Sequence, residues 1–505
     1  MKSVRSPNAI YSGATSKTVK ELIIPATNAR FSASNQLLNL FTMHTVKLRT
    51  LFAFVSLAMP LTLAGQSFQG SVATGTATAT PLALSFDDAI NRGLKANLGL
   101  LTSQQTSEEV RAQRLRALSA LLPQVYGQLS MTEQELNLQA FGFNIKLPPS
   151  VGFQIPTVVK PYSYQAALLN ASIPLFDYRS ISNLRASRES DKAAQLAVGN
   201  ARDLVVQAVG NAYLQIIADA ARITSTQAQI DADNAVYTNA VRRHDAGTAI
   251  GIDVLRSQVE LKQRQQQLVA VTNQFEKDKL SLGRLIGLPN GQEFTATDPS
   301  PSVPLEAVSL KDALDKAYAH RPDFQAAKAR VLAAQFRMRA AKSERYPTLT
   351  ASGFFGDEGL RLTSNSHGVF NATGAVNFNV FDGGRIKADI LENNAELTNR
   401  RNELENLRGQ IDFDVRAALL DLKAAADQVD VAQSNAQLAA ESLKQSRDRF
   451  TAGVTNSVEI VQAQQAVAVA DENLIGAQFQ YNVAKVSLAR AVGLADQGVR
   501  SYFSK

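Results

Sequence analysis

The 505-residue sequence contains no cysteine, no tryptophan and only four histidines. Without cysteine there can be no disulfide scaffold, thiolate zinc site, iron–sulfur cluster, cysteine nucleophile or lipid anchor on an N-terminal cysteine. The histidines form no constellation: His44 lies near the N-terminus, and His244, His320 and His367 stand apart along the chain. HExxH, GxxxxGK[ST] and Gly-rich dinucleotide patterns are missing as well. Acid pairs such as Asp87-Asp88 and Glu108-Glu109 suit helix starts or a solvated surface. The chain therefore reads as a non-enzyme with no cofactor and no metal. At 45% hydrophobic and 19% charged it can nevertheless bury a core.

A formal charge of +7 invites a nucleic-acid or anionic-membrane partner. The distribution removes that support. Residues 1–64 hold seven basic side chains (Lys2, Arg5, Lys17, Lys20, Arg30, Lys47, Arg49) against Glu21, which leaves 45 basic and 44 acidic side chains beyond. Lys47 and Arg49 run into the apolar stretch Leu51–Ala64, a secretory signal pattern too short for the ~20 residues of a spanning helix. A buried N-terminal helix is the alternative. Met43 offers a possible true start within this 1–64 leader, and the polar, repetitive segment 65–83 is expected to be disordered.

Proline is absent from Leu175 to Leu288 and again after Pro347. Both tracts are rich in helix-tolerant residues, and the spacing predicts long helices over 179–244 and 385–450. Each would be about 100 Å long at 1.5 Å per residue, against an ordinary helix of about 11–12 residues. Leu404, Leu407, Ile411, Val415, Ala418 and Leu422 mark a narrow, Ala-rich packing seam.

The two halves repeat one another. Asp88-Ala89-Ile90 recurs as Asp312-Ala313-Leu314, Leu122-Pro123 as Tyr346-Pro347, and Phe176-Asp177 as Phe381-Asp382. Ala246-Gly247 recurs as Ala452-Gly453, with Asp253 opposite Glu459, and LGRLIGL (282–288) pairs with LARAVGL (488–494). Repeats over 84–288 and 309–495, joined by a linker at 289–308 and followed by a tail at 496–505, share one grammar. Short and medium helices lead to two strands, then a long helix, a Gly-marked turn and a last helix (252–287, 457–492). Strands are expected at about 124–139, 162–176, 347–356 and 369–381, with outward loops at 139–161 and 357–368. Their apolar–polar alternation suits a wall with lipid on one side and water on the other, or a soluble sandwich with one wet face. Four strands cannot close a membrane barrel, which takes at least about eight, so several chains must contribute; three would supply twelve.

With these features the chain resembles TolC-like outer-membrane efflux proteins across residues 84–495. The carriers are the duplicated halves, the paired Phe-Asp strand ends and two turn motifs, RRHDAGTAIGIDVLRSQ (242–258) and RDRFTAGVTNSVEIVQAQ (447–464). The resemblance implies an α+β membrane protein. In it an internally duplicated protomer gives four β-strands to a trimeric, 12-stranded outer-membrane β-barrel and long coiled helices to a periplasmic α-barrel. It places Gly247, Gly453, Arg243 and Arg449 at tip turns where adaptors dock. It places Asp253, Phe450, Thr455, Glu459 and Gln462 at the periplasmic aperture, Glu459 in an acidic ring. Phe450 and Thr455 stand where the family's reference member has a gating Tyr and an Arg, so closure is expected to lean on packing around Phe450 and Val454. Phe141, Phe143, Phe153, Tyr162, Phe354, Phe355, Phe370 and Phe381 are candidates for membrane-interface girdles. The implied function is a passive homotrimeric duct in the cell outer membrane, surrounded by its lipid. It would serve a periplasmic adaptor and an inner-membrane pump of RND or ABC type, with no nucleic acid involved. Type I protein secretion, metal export or a non-conducting envelope coiled coil are the alternatives.

Overall fold

The computed structural model describes residues 70–142, 148, 150, 152, 156–298, 308–452, 454, 455 and 457–503, the last three without their side chains. The leader at 1–64 lies outside these residues, as do Phe143, Phe153, Gly453 and part of the 289–308 linker.

The first repeat runs β1 (Leu82–Leu84), α1 (Phe86–Ala96), α2 (Leu98–Ser119), β2 (Gln124–Asn137), β3 (Val158–Phe176), α3 (Tyr178–Asp245) and α4 (Gly251–Leu285). After β4 (Phe294–Ala296) the second repeat runs α5 (Leu310–His320), α6 (Pro322–Ser343), β5 (Thr348–Gly359), β6 (Ser366–Asn377), α7 (Arg385–Thr451) and α8 (Ser457–Ala491). A last helix, α9, spans Ala495–Phe503. The repeated Phe-Asp pairs are helix starters. Asp177 accepts a hydrogen bond from the Ser180 amide at 3.1 Å, and Asp382 accepts from the Gly384 and Ile386 amides. From those caps α3 and α7 run for 68 and 67 residues, about 100 Å each.

Both hairpins, α3–α4 and α7–α8, are gripped near the middle of their long helices. One core gathers Leu84, Ile90, Val205, Val209, Tyr213, Leu282, Ile286 and Val486; the other gathers Ala313, Phe324, Ile411, Val415, Ala418 and Leu488. Half of the expected seam (Ile411, Val415 and Ala418) is thus buried in the second core, with Leu404, Leu407 and Leu422 packed at its margin. Gly287 and Gly493, which end α4 and α8 in the repeated motif, have φ of +72° and +76°. A Cβ on Gly287 would meet the Ala96 Cβ at 2.4 Å, and one on Gly493 the Arg321 amide nitrogen at 2.6 Å. These positions admit glycine for space as well as for conformation.

Three terminal expectations are corrected. From Gly70 on, the segment expected to be disordered is a strap held by main-chain hydrogen bonds. The Val72 amide donates to Ala96 O at 2.9 Å, Thr74 to Gly287 O at 3.1 Å, and β1 pairs in parallel with β4. Residues 289–308 are therefore not a plain linker, because they contribute β4 to that pair. The tail is mostly α9, tied down by Arg500 to Asp87 at 3.0 Å and by Arg202 to Asp496 at 2.8 Å. Composition hides such order because the strap is tied to distant backbone carbonyls and to the Gln292 side chain, which bonds Thr78 and Thr80.

The antiparallel sheet has the order β2-β3-β5-β6. Directly opposed residues share a face, so its register sorts the side chains. Gly127, Leu169, Phe355 and Phe370 form one row, and Val125, Ala171, Gly353 and Ala372 the next, all on the apolar face. From Leu349 to Phe355 that face extends about 20 Å at ~3.4 Å per residue, against the roughly 25 Å apolar band of outer-membrane barrels. The other face carries Tyr126, Asn170, Phe354 and Asn371 in one row, and the Gln134–Tyr162 pair, joined by a 2.6 Å hydrogen bond, in another. Phe354 and Tyr162 are therefore on the polar face, a correction to their place in a lipid girdle. Phe355 and Phe370 lie on the apolar side, both strongly exposed. Phe141 and Phe381 are exposed at opposite ends of the sheet, near the loops and near the helices.

Strand limits also shift. β3 begins at Val158 and β5 continues to Gly359, drawing residues from both expected loops. Pro161 falls where β2 is irregular between Gln134 and Leu136, and Pro174 beside the shift before Phe176. At such bulges a missing amide proton breaks no ladder bond. β6 stops at Asn377, not at 381, because a connector with Gly383 and Gly384 at positive φ turns the chain into α7.

Candidate functional site at the helix tips

At the far end of each hairpin the chain reverses in a few residues. After α3 the Gly247 amide donates to His244 O at 2.8 Å and the Thr248 amide to Arg243 O at 2.8 Å, with Gly247 at φ +72°. After α7 the Val454 amide donates to Arg449 O at 2.9 Å, the equivalent of the Thr248 bond. This closure satisfies the last carbonyls of each long helix.

The turns bring most of the aperture candidates together. The Arg243 guanidinium sits 4.6 Å over the Phe450 ring, joining the end of α3 to the end of α7. Asp253, in the first turn of α4, accepts a 2.6 Å hydrogen bond from the Ser457 hydroxyl at the start of α8, with Arg256 at 3.5 Å. Glu459 is held within its own hairpin: Arg449 approaches at 3.7 Å and the Thr455 hydroxyl donates to its carboxylate. The acidic character expected of Glu459 is thus partly offset by a neighbouring cation. Gln462 is exposed. Val454 is also exposed, and within one protomer the Phe450 ring carries the Arg243 cation over its face.

Above the tip lies a ladder that the sequence reading missed. Gln465 donates to Glu260 at 3.1 Å, Ser225 to Asp471 at 3.1 Å, and Arg222 bridges Asp219 at 2.8 Å and Glu472 at 2.9 Å. With Asp253–Ser457, these rungs tie the first hairpin to α8. The polar residues recur near a seven-residue spacing (Asp253 and Glu260; Ser457, Gln465 and Glu472), which keeps them on one helix face. That spacing was the available signal. Near the ladder Asp233 is buried with Arg264 at 3.7 Å, and burial pushes its carboxyl up to about 6.

The mid-helix belt holds a second buried charge system. Arg321 pairs with Asp323 at 2.7 Å and Asp414 at 3.0 Å, and Arg490 donates to Asn200 at 2.8 Å. Asp203 nearby is raised to about 6 by burial, against the opposing pull of Arg490. Lys485, fully buried between Tyr481 and Asn482, is lowered to about 8 by the same desolvation.

A lipid-compatible sheet continuing into paired helices of about 100 Å, closed by tight turns, defines an outer-membrane channel protomer. The family model for outer membrane efflux proteins matches residues 89–288 and 313–494, and the chain belongs to that family. Pyoverdine export outer membrane protein OpmQ of Pseudomonas aeruginosa is 25% identical over 317 residues, 61% of this chain and 65% of that protein. Toluene efflux pump outer membrane protein TtgF of Pseudomonas putida is 25% identical over 424 residues, 80% of this chain and 82% of that protein. The solved CmeC outer membrane channel of Campylobacter jejuni shares the fold with a TM-score of 0.69 at 16% identity, covering 85% of this chain and 92% of that one.

Proposed function

We propose that the protein is the outer-membrane duct of a tripartite efflux system, a passive homotrimer that conducts small organic molecules from the periplasm to the exterior. One observation carries the reading. A single chain supplies both a sheet with one apolar face and two very long hairpins whose ends are held together by a few polar contacts. Three copies of a four-stranded sheet make a closed twelve-stranded wall, which removes the unpaired edges that lipid does not tolerate. Transport power then comes from an inner-membrane pump, of RND or ABC type, through a periplasmic adaptor. Small organic cargo is favoured over protein or metal by the names of the relatives, which export pyoverdine and toluene.

In this reading Asp253, Phe450, Thr455, Glu459 and Gln462 form the aperture. Gly247, Gly453, Arg243 and Arg449 lie at the turns that meet the adaptor. The contacts Asp253–Ser457 and Arg243–Phe450 hold the hairpins in the closed arrangement, and opening breaks them. The test is single-channel recording of the purified trimer in a planar bilayer, together with deletion of the gene in its host. Discrete conductance steps and a drop in tolerance to small organic toxicants are expected. A trimer that never conducts would return the protein to the non-conducting coiled-coil class.

A further inference from the structure

Between the two hairpins, above the tip, α3 and α8 line a cavity of about 530 Å³ that is open to solvent along the side where Thr224 and Ala228 are exposed. Its size falls within the roughly 300–1,000 Å³ of small-molecule sites. Ala228, Ala232, Val467 and Leu474 supply apolar wall, and Asp233 and Gln464 supply the polar end. Both polar side chains are buried, at 3% and 6% exposure. Asp233 Oδ2 accepts no hydrogen bond, because the Arg264 guanidinium stands 3.7 Å away and donates instead to Glu260 and Gln267. Gln464 Nε2 donates none. One unsatisfied acceptor and one unsatisfied donor face the same cavity, and each is costly until something pairs with it. The charge of the wall is also one-sided, with Asp233 and Asp471 against Arg264.

We propose that this cavity is a binding site for a small amphipathic amine. Its ammonium donates to Asp233 Oδ2, its apolar body lies against Ala228, Ala232 and Val467, and an ether or hydroxyl oxygen accepts from Gln464 Nε2. A cation is required because the open acceptor is a carboxylate in a net-acidic pocket. The occupant touches both α3 and α8, so it also bridges the hairpins that must separate in any opening. Binding weakens on acidification from pH 7.5 to 5, as burial brings the Asp233 carboxyl to about 6 despite Arg264 and Arg447, with Glu260 acting in the same direction as burial.

The test is calorimetric titration of the full-length trimer in detergent with 4-phenoxybutan-1-amine, using 4-phenoxybutan-1-ol as the uncharged shape control. Saturable binding near one molecule per protomer is expected, at least tenfold tighter for the amine than for the alcohol. Asp233→Asn should weaken it at least tenfold. Ala228→Phe, which fills the apolar part and keeps the carboxylate, should abolish it and decides the matter if Asp233→Asn does not assemble. Equal binding of amine and alcohol, an unchanged Ala228→Phe variant, or heats that never saturate would overturn the site; the last would leave a cavity that holds water only. The titration requires no conduction, so it stands or fails apart from the efflux reading.

Discussion

Phe450 shows what a single ring does at the tip. It offers no hydrogen bond, yet it holds the Arg243 guanidinium over its face and so joins two hairpins. Such a contact contributes about 0.5–1 kcal/mol at an exposed site and more when desolvated. Phe450→Ala and Arg243→Ala should each raise the open probability of the isolated trimer and increase antibiotic leakage into cells. Unchanged conductance in both variants would remove the contact from closure. Asp203 allows a test with a sign. Burial lifts its carboxyl from 3.8 to about 6 in the folded chain, so between those values the folded state holds a proton that the unfolded state has lost. The stability this group contributes is present below pH 4 and is lost as pH rises through about 6. Asp203→Asn, neutral throughout, should therefore stabilise the trimer at pH 7.5 by up to about 3 kcal/mol, with the gain shrinking at pH 5. A lower melting temperature at pH 7.5 would mean that pairing with Arg490 outweighs burial.

At the level of elements, the glycines that end α4 and the faces of the sheet carry the sharpest consequences. Gly287→Ala combines positive φ with a 2.4 Å approach to Ala96, whereas Gly291→Ala, at φ +84° in open space, meets only the conformational penalty. The first should cost several kcal/mol and the second about 1 kcal/mol, read as trimer melting in detergent. In the sheet, Phe355 and Phe354 are neighbours in sequence and opposites in environment. Phe355→Arg on the apolar face, at the membrane interface, should cost up to about 1 kcal/mol and lower the amount assembled in the outer membrane. Phe354→Arg should assemble near the wild-type level, and the reverse result would invert the faces assigned by the register.

For the whole molecule, the proposed duct opens by a relative motion of the two hairpins, which the polar ladder along α8 would resist. The absence of native cysteine makes that motion testable. Asp253→Cys and Ser457→Cys place thiols at a pair whose native side chains meet, Ser457 Oγ to Asp253 Oδ1 at 2.6 Å, and bridging is verified by non-reducing electrophoresis. Oxidation should suppress the single-channel current of the trimer, and a reductant should restore it. Current that survives verified cross-linking would show that opening does not separate this pair.

Much of the architecture was legible in the residues. Proline-free tracts set the long helices to within a residue or two, the repeated Phe-Asp pairs located their starts, and the paired LGRLIGL and LARAVGL motifs located the ends of α4 and α8. These are local signals, because a helix start, a helix stop and a strand alternation are written in consecutive residues. The strap at 70–84, the early end of β6 and the polar side of Phe354 and Tyr162 were not legible, since each depends on which distant backbone lies alongside. The tip follows the same division. The sequence alone determined that Asp253, Phe450 and Glu459 stand at two equivalent turns. Only the tertiary structure decided that Asp253 meets Ser457, that Phe450 meets Arg243, and that Glu459 is taken up by Arg449. Spacing along a helix fixes which face a charge occupies, but its partner is chosen by the helix packed against that face.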